Sequence, residues 1–407
     1  MTIRETIDAN WRREVDFLKA LVRVPSDNPP GDCGRAAEVA AQELQALGFA
    51  VERHPVPAAL VAANGMKSAT NLIVRKSFGT GQGPVIALNA HGDVVPPGEG
   101  WTVDPYGAVE KDGALYGRGV AVSKSDFATY AFALLALENN SSGLNGAIEL
   151  HLTYDEEAGG MIGPKWLIDQ GLTRATLVIS AGFAYAITTA HNGVLHLEVT
   201  VRGKQAHAAM PATGADALEA SVPVLAAIYA ERRRLAGIVS REKGIGSPQI
   251  TVGLISGGIN TNVVPDRITF RVDRRIVPEE NGVEVERALV ALIENALPKG
   301  QGTTVECRRI MLAEPLRPLP GVDRMVGVIQ RRAKEVMGID VAATGVPLYT
   351  DARHYAAAGI PTVLYGAGPR SILEANAHGA DEHLQLSDLR AATEVIAFTL
   401  ADLLAGI

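Results

Sequence analysis

The order of predicted strands and helices in the middle of the chain is the feature that most restricts its fold. Apolar runs and amphipathic segments between residues 194 and 310 follow the order β-α-β-β-α-β, which is typical of a ferredoxin-like unit. The predicted elements are strand 194–201, helix 216–236, strands 249–255 and 268–276, helix 283–297 and strand 303–310.

Strands and helices alternate on both sides of this segment. Short apolar runs at 71–74, 85–89, 148–153 and 177–179 read as buried strands, with a long helix predicted over 125–137. The alternation resumes after residues 315–320. The sequence therefore predicts an α/β layered domain of residues 1–190 and 314–407, with a ferredoxin-like domain of residues 191–313 inserted into it.

Composition narrows the class of protein. The 407 residues include 38 Lys and Arg against 45 Asp and Glu, for a net charge of −7, and no long basic run that would indicate nucleic-acid binding. No stretch reaches the about 18 consecutive apolar residues of a membrane span, and the N-terminus does not read as a signal peptide. A cytoplasmic protein that binds a small molecule is expected, with Cys33 and Cys307 as reduced thiols.

The motif AHGD at residues 90–93 follows the predicted strand 85–89. Residues two apart in an extended chain project to the same side, so His91 and Asp93 can touch. A carboxylate beside an imidazole fixes its tautomer and orients it as a metal ligand. The alternative is a capping Asp beside a core His, because the motif is a weak signal by itself.

Three consecutive acids follow another predicted strand, in the motif YDEE at residues 154–157. Open α/β sheets bind ligands at strand ends, and neighbouring carboxylates need a cation or a proton between them. A solvated acidic loop is the alternative interpretation. Two further motifs are GRGVAVSK at 117–124, leading into the helix that carries Asp126, and AHGADE at 377–382, which places His378 in a glycine-containing loop.

In this order, the four motifs resemble those of the M20 family of aminoacylases, acetylornithine deacetylases, succinyl-diaminopimelate desuccinylases and glutamate carboxypeptidases. The resemblance covers almost the whole chain and extends to GKQAHAAMP (203–211), NVVPD (262–266), VDRR (272–275), TDAR (350–353) and GIP (359–361). It implies a three-layer metallohydrolase catalytic domain and an inserted lid domain through which two chains form a homodimer.

The resemblance also implies roles for individual residues. His91 would bind one metal with Asp93 orienting it, Glu156 would be the general base, and Glu157 and His378 would bind the other metal. His207 matches a lid histidine that donates to the oxyanion in the neighbouring subunit's site. The matches to positions that hold the substrate's amide and carboxylate are Asn262, Arg275 and Arg353. Alternatively, Arg275 is an ion-pair partner of Asp273 or Glu279, and Arg353 serves the scaffold.

Two acidic ligand positions of the family are empty in this chain. Val122 stands where the family has its bridging Asp, and the segment ISAGF at 179–183 has no carboxylate where the family has another ligand. We therefore expect one divalent metal, zinc or manganese, held by His91, Glu157 and His378. A second metal would need Asp126 or His191 as a replacement ligand, whereas an exposed or helix-capping Asp126 and a surface His191 at the hinge are the favoured interpretations.

The expected reaction is metal-dependent cleavage of an amide or related C–N bond in a small carboxylate-bearing substrate, such as an N-acyl amino acid or a dipeptide-like molecule. Glu156 would take a proton from the attacking water and return it to the leaving nitrogen. Three alternatives remain: a hydrolytic deaminase of an unusual amine, a non-catalytic relative that has lost its metals, and a conventional dinuclear aminoacylase.

Overall fold

A computed structural model describes residues 1–406. The helices are α1 (Ile3–Val22), α2 (Gly34–Ala46), α3 (Ala58–Ala63), α4 (Lys124–Glu138), α5 (Pro164–Asp169), α6 (Ala217–Leu235), α7 (Gly282–Ala296), α8 (Val322–Met337), α9 (Ala352–Ala357) and α10 (Leu386–Ala405). None of these helices combines the length and hydropathy needed to cross a membrane.

The strands of the same residues fall into three sheets. They are β1 (Val51–Pro55), β2 (Thr70–Phe78), β3 (Val85–His91), β4 (Val109–Lys111), β5 (Ala114–Tyr116), β6 (Gly146–Thr153), β7 (Leu177–Ser180), β8 (Ala186–His191), β9 (Gly193–Arg202), β10 (Gln249–Gly257), β11 (Arg267–Ile276), β12 (Thr304–Ala313), β13 (Ala342–Val346), β14 (Thr362–Leu364) and β15 (His383–Gln385).

The chain divides into two compact units. The first comprises Met1–Thr189, Pro318–Thr344 and the residues from Thr350 onward, and the second comprises Ala190–Arg317 and Gly345–Tyr349. The assignment of a catalytic role to the first unit and a lid role to the second stays a prediction.

The first unit is built on an eight-stranded sheet of order β1-β2-β6-β3-β7-β14-β8-β13. Its central strands β6, β3, β7 and β14 run parallel. Side chains of β3 enter two separate cores: Ile86 and Leu88 pack into the large core, whereas Ala87 packs with Tyr355 of α9 on the opposite face. Helices therefore cover both faces of the sheet, and the predicted α/β layer architecture is confirmed.

Helix α4 is the buried centre of the large core. Its sequence, KSDFATYAFALLALE, is apolar around most of its circumference, and nearly all of its residues are buried. A helix that is hydrophobic on all sides must be covered on all sides. Helices α1 and α10 pack against it, which fixes the position of its N-terminal turn beside the sheet.

The second unit has the predicted ferredoxin-like topology. Its elements follow the order β9-α6-β10-β11-α7-β12, and the antiparallel sheet has the order β10-β11-β9-β12. Along β9, Leu195, Leu197 and Val199 point into a core with α6 and α7, and they alternate with His196 and Glu198. Because successive side chains of a strand point to opposite faces, this alternation packs one face of the sheet against the helices.

Candidate functional site

The candidate site lies where two neighbouring parallel strands end. His91 is the last residue of β3 and pairs in register with Thr153, the last residue of β6. The acidic segment 155–157 follows directly after β6. The carboxyl ends of parallel strands meet at one edge of a sheet, which is where open α/β sheets bind ligands.

The imidazole of His91 is buried and oriented by its surroundings. Its Nδ1 lies 3.0 Å from the main-chain oxygen of Asp93 and 3.4 Å from the Asp93 carboxylate oxygen Oδ1. The Ser123 hydroxyl accepts a hydrogen bond from the His91 amide at 3.0 Å and donates to the His91 carbonyl at 3.1 Å. Nε2 of His91 is the ring nitrogen left to face the acidic segment.

The carboxylate of Asp93 connects His91 to the acidic segment. The Glu156 amide donates to its Oδ1 at 3.2 Å, and the Glu157 amide donates to its Oδ2 at 3.1 Å. The Asn28 side-chain amide also donates to Oδ2, at 3.0 Å. Asp93 is completely buried, so it holds the backbone of both glutamates without contacting solvent.

The structure brings together His91, Glu156 and Glu157. One ligand atom from each of these residues lies within 4.8 Å of the others, and within residues 1–406 this is the group with metal-binding geometry. Nε2 of His91 is 4.0 Å from Oε2 of Glu156. Imidazole nitrogen and carboxylate oxygen are donors that suit zinc or manganese, so His91 and Glu157 fit one divalent ion with Glu156 beside it.

His378 reaches the same cluster from the other side of Glu157. Its Nε2 is 3.2 Å from Oε1 of Glu157, and its side chain is half exposed. It lies outside the group whose ligand atoms fall within 4.8 Å of one another. Of the three metal ligands expected from the sequence, His91 and Glu157 are therefore grouped with Glu156, and His378 contacts Glu157.

Burial and mutual repulsion set the protonation of the cluster. Burial raises the pKa of Glu156 to about 8, helped by the charges of Glu157 and Asp93 and opposed by His91. Burial by itself lowers the pKa of His91, but the hydrogen bond to Asp93 and the charge of Glu156 outweigh it and raise that pKa. The hydrogen bond to Glu157 raises the pKa of His378. The cluster thus attracts positive charge, either as protons or as a cation.

Asp126 is a correction to the sequence analysis, because it is buried rather than exposed or helix-capping. Only 1% of its surface is accessible, and its Oδ1 accepts a hydrogen bond from the Ala367 amide at 2.8 Å. Burial raises the pKa of Asp126 to about 7. A Cβ on Gly366 would lie 1.8 Å from the same oxygen, so only glycine fits there. The carboxyl group of Asp126 is thus committed to a backbone contact and is absent from the metal-binding group.

The positions at which the family resemblance implies two further acidic ligands are hydrogen-bonded to β3 through neighbouring groups. Val122 precedes Ser123, whose hydroxyl is bonded to the His91 backbone, and Val122 itself is partly buried. The amide of Ala181 donates to the carbonyl of Asn89 on β3, at 2.8 Å.

Two buried acids behind Glu156 were not singled out by the sequence analysis. Asp155 accepts a hydrogen bond from the Ile162 amide at 2.6 Å, and Asp351 accepts one from the Thr153 hydroxyl at 3.4 Å. Burial raises the pKa of both, that of Asp351 to about 8. Their positions within the motifs YDEE and TDAR were the available signal. Asp351 precedes α9, where the guanidinium of Arg353 is buried and donates to the Gly159 carbonyl.

The predicted site residues of the second unit fall into two places. His207 and Asn262 are both exposed and adjacent, because His207 pairs with Val263 and the Ala208 amide donates to the Asn262 carbonyl at 3.0 Å. Arg275 lies on β11 and donates two hydrogen bonds to Asp273, at 2.9 and 3.1 Å.

His191 is a second correction, because it is completely buried rather than on the surface. Its Nδ1 lies 2.9 Å from the Asn192 carbonyl and 3.4 Å from the Leu316 amide. These contacts lie within the second unit and explain why an imidazole is tolerated in its interior.

Comparisons with known proteins identify the family to which the chain belongs. The sequence pattern of peptidase family M20/M25/M40 matches residues 87–402. A succinyl-diaminopimelate desuccinylase of Acidiphilium cryptum is 28% identical over 94% of this chain and 96% of its own length. An acetylornithine deacetylase of Myxococcus xanthus is 29% identical over 91% and 92%. An M20 family metallo-carboxypeptidase of Sulfolobus solfataricus has the same fold, with a TM-score of 0.76, 18% identity, and coverage of 97% of this chain and 98% of its own.

An α/β layer domain with a histidine–carboxylate cluster at its strand ends, together with a ferredoxin-like second unit, defines a hydrolase of the metallopeptidase type. The chain belongs to peptidase family M20. It is a hydrolytic enzyme of the deacylase and peptidase kind represented by its relatives.

Proposed function

We propose that this enzyme uses a single divalent ion to hydrolyse an amide or related C–N bond in a small substrate that carries a carboxylate. The observation that carries the proposal is the group of His91, Glu156 and Glu157, whose ligand atoms lie within 4.8 Å of one another. The similarity to a desuccinylase and a deacetylase supports a substrate of the N-acyl amino acid or dipeptide type.

One ion fits the available donors, and a second does not. His91 and Glu157 would hold it, with His378 approaching through Glu157. Zinc or manganese bound there would act as a Lewis acid toward the attacking water and the amide carbonyl. Val122 and the segment 179–183 contain no carboxylate that could hold a second ion, and Asp126 is bonded to the backbone.

Glu156 is the proposed general base. Asp93 fixes its backbone, its side chain is mostly buried, and its Oε2 faces Nε2 of His91. A carboxylate in this position takes a proton from the attacking water and delivers it to the leaving nitrogen.

Four residues are assigned to substrate recognition. We propose that His207 donates to the developing oxyanion, that Asn262 holds the amide, and that Arg275 and Arg353 serve the substrate's carboxylate. The hydrogen bonds from Arg275 to Asp273 fix the guanidinium plane, which pre-orients its remaining N–H groups.

A homodimer formed through the second unit is part of the proposal. The edge strand β10 carries exposed Leu254 and Ile255, and the adjacent helix α6 carries exposed Leu218 and Val222. An edge strand with exposed apolar side chains is a surface that proteins normally cover. Light scattering measures the oligomeric state of the native protein, expected to be a dimer, and of a Val222→Glu variant, expected to be a monomer. A monomeric native protein would contradict the proposed dimer.

The decisive experiment compares the native enzyme with Glu156→Gln. Metal content is measured by elemental mass spectrometry after addition of zinc or manganese, and activity is measured on N-acyl amino acids, dipeptides and amino-substituted aromatic acids. We expect one ion per chain in both proteins and hydrolysis by the native protein only. Hydrolysis by Glu156→Gln would remove the proposed base, and two ions per chain would overturn the single-metal site. Release of ammonia from an aromatic amine would assign a deaminase instead.

A further inference from the structure

A buried ion pair connects the glycine-bracketed motif to the loop that carries His378. Nη1 of Arg118 donates to Oε2 of Glu382 at 2.7 Å, and each side chain is only 1% exposed. The two residues are 264 positions apart in the sequence. Full burial of both charges means that water does not compete for this contact.

Further hydrogen bonds of both side chains connect the glycine-bracketed motif, the His378 loop and Pro97. Nη2 of Arg118 donates to the carbonyls of Pro97 and Gly379, each at 3.0 Å, and the guanidinium lies over the Trp101 ring at 5.1 Å. Oε1 of Glu382 accepts from the Ala121 amide at 3.0 Å. The pair therefore bonds directly to Gly379, the residue that follows His378.

The backbone around His378 needs such support. His378 has a φ of 64°, and Asn376 and Asp381 have φ values of 49° and 54°. This left-handed conformation is uncommon for residues other than glycine, although Asn, Asp and His adopt it more often than the rest, so contacts that fix it stabilise the loop. The side chain of His378 is 53% exposed, so its own packing does not supply these contacts.

A second anchor holds the far side of the loop. The carboxylate of Asp381 accepts hydrogen bonds from the Thr102 amide and hydroxyl, at 2.8 and 2.9 Å. This anchor is exposed to solvent, whereas the pair of Arg118 and Glu382 is not. The buried pair is therefore the stronger restraint on where the imidazole of His378 stands relative to Glu157.

We propose that Arg118 and Glu382 are positioning residues that hold His378 against Glu157 and thereby set the affinity of the cluster for a divalent cation. The proposal rests on the metal site of the proposed function. Residues that orient metal ligands typically change metal affinity by about 10–100-fold when they are altered.

The test is the zinc affinity of Arg118→Lys, measured on metal-free protein by competition with a chromophoric chelator. Lysine keeps a positive charge beside Glu382 but lacks the second arm that reaches the Gly379 carbonyl. We expect zinc binding to weaken by about 10-fold or more. Unchanged affinity would overturn the proposal.

Arg332→Lys is the matched control. Arg332 also forms an ion pair with a carboxylate, Asp402, and also lies over an aromatic ring, Phe398, at 5.2 Å. It sits on α8, which carries none of the proposed site residues. The zinc affinity of the Arg332→Lys protein is expected to stay within about twofold of the native value. An equal loss in both variants would show that general destabilisation is responsible, and would refute the positioning role.

A double-mutant cycle identifies the route of the effect. If Arg118 acts through His378, then Arg118→Lys weakens zinc binding in the native background and changes it by less than about twofold in a His378→Ala background. An equal loss in both backgrounds would refute the proposal. If Arg118→Lys does not fold, Glu382→Gln replaces it in the same cycle. Zinc affinity is measured without substrate. A protein that binds zinc but hydrolyses nothing would therefore contradict the proposed function, while the effect of Arg118 on zinc affinity could still be measured.

Discussion

Asp93 is the single residue on which the geometry of the proposed site depends most, and Asp93→Asn tests this dependence. Its two oxygens accept three hydrogen bonds, from the amides of Glu156 and Glu157 and from Asn28. Asparagine offers one oxygen and one NH2 group. Whichever way the side-chain amide is turned, at least one backbone N–H group faces another donor.

The expected loss of stability follows from the number of hydrogen bonds that asparagine cannot accept. Hydrogen bonds to a charged group contribute about 1.5–3 kcal/mol, and an unsatisfied buried donor costs about 1–3 kcal/mol. Loss of the negative charge of Asp93 also relieves its repulsion of Glu156, which offsets part of this cost in the metal-free protein. A bound cation already compensates that repulsion, so the full loss of about 2–4 kcal/mol is expected in the zinc-loaded protein.

The assay is chemical denaturation of Asp93→Asn with and without zinc, together with zinc affinity by chelator competition. We expect a larger drop in the free energy of unfolding with zinc than without it, and zinc binding weakened by about 10–100-fold. Asp169→Asn is the control, because Asp169 forms an exposed pair with Lys165 on α5. An Asp93→Asn protein with native zinc affinity and native stability would refute the reasoning.

Four further substitutions have expected outcomes that follow from the contacts of the residues concerned. Burial raises the pKa of Glu14 to about 8, so its stabilising neutral form is fully present below about pH 4.5 and is lost as the pH rises through 8. Glu14→Gln should therefore flatten the fall in unfolding free energy between these pH values, as measured by denaturant titrations. Gly366→Ala should destabilise the fold by about 1–3 kcal/mol, because its Cβ would overlap Asp126. A Cβ added to Gly327 in α8 would meet no atom within 4 Å. Gly327→Ala should therefore raise the free energy of unfolding of the protein by about 0.5–1 kcal/mol, and denaturant titrations measure both glycine variants. His207→Ala should lower kcat in steady-state assays while zinc content stays unchanged, and a lower zinc content would place His207 at the metal instead.

The sequence was sufficient to predict the two architectures and the strand-end location of His91 and Glu156. Buried parallel strands show as uninterrupted apolar runs, and the residues that follow such runs lie at a common edge. The ferredoxin-like order was visible because β9 and β11 alternate polar and apolar residues while α6 and α7 have a helical period. These are local patterns, and local patterns are what a single sequence contains.

The burial of Asp126 and His191 depends on partners that no local pattern contains. The Oδ1 of Asp126 is bonded to the Ala367 amide, 241 residues away, and Nδ1 of His191 lies against the Leu316 amide, 125 residues away. An acid in an otherwise apolar helix such as α4 was the one available sign of burial, because that helix has no polar face on which an exposed carboxylate could lie.

The number of carboxylates near His91 limits how many divalent ions the proposed site can hold. A site with two divalent ions needs several anionic ligands to offset four positive charges, and Val122 and the segment 179–183 supply no carboxylate where the family resemblance implies two of them. What remains around His91 is the pair of Glu156 and Glu157, with Asp93 behind them. Two carboxylates offset one divalent ion, and the third is screened by the backbone amides it accepts from. We therefore expect that a second ion does not bind, because Val122 and residues 179–183 contain no carboxylate to compensate it and burying an uncompensated divalent charge is far more costly than leaving the position without an ion.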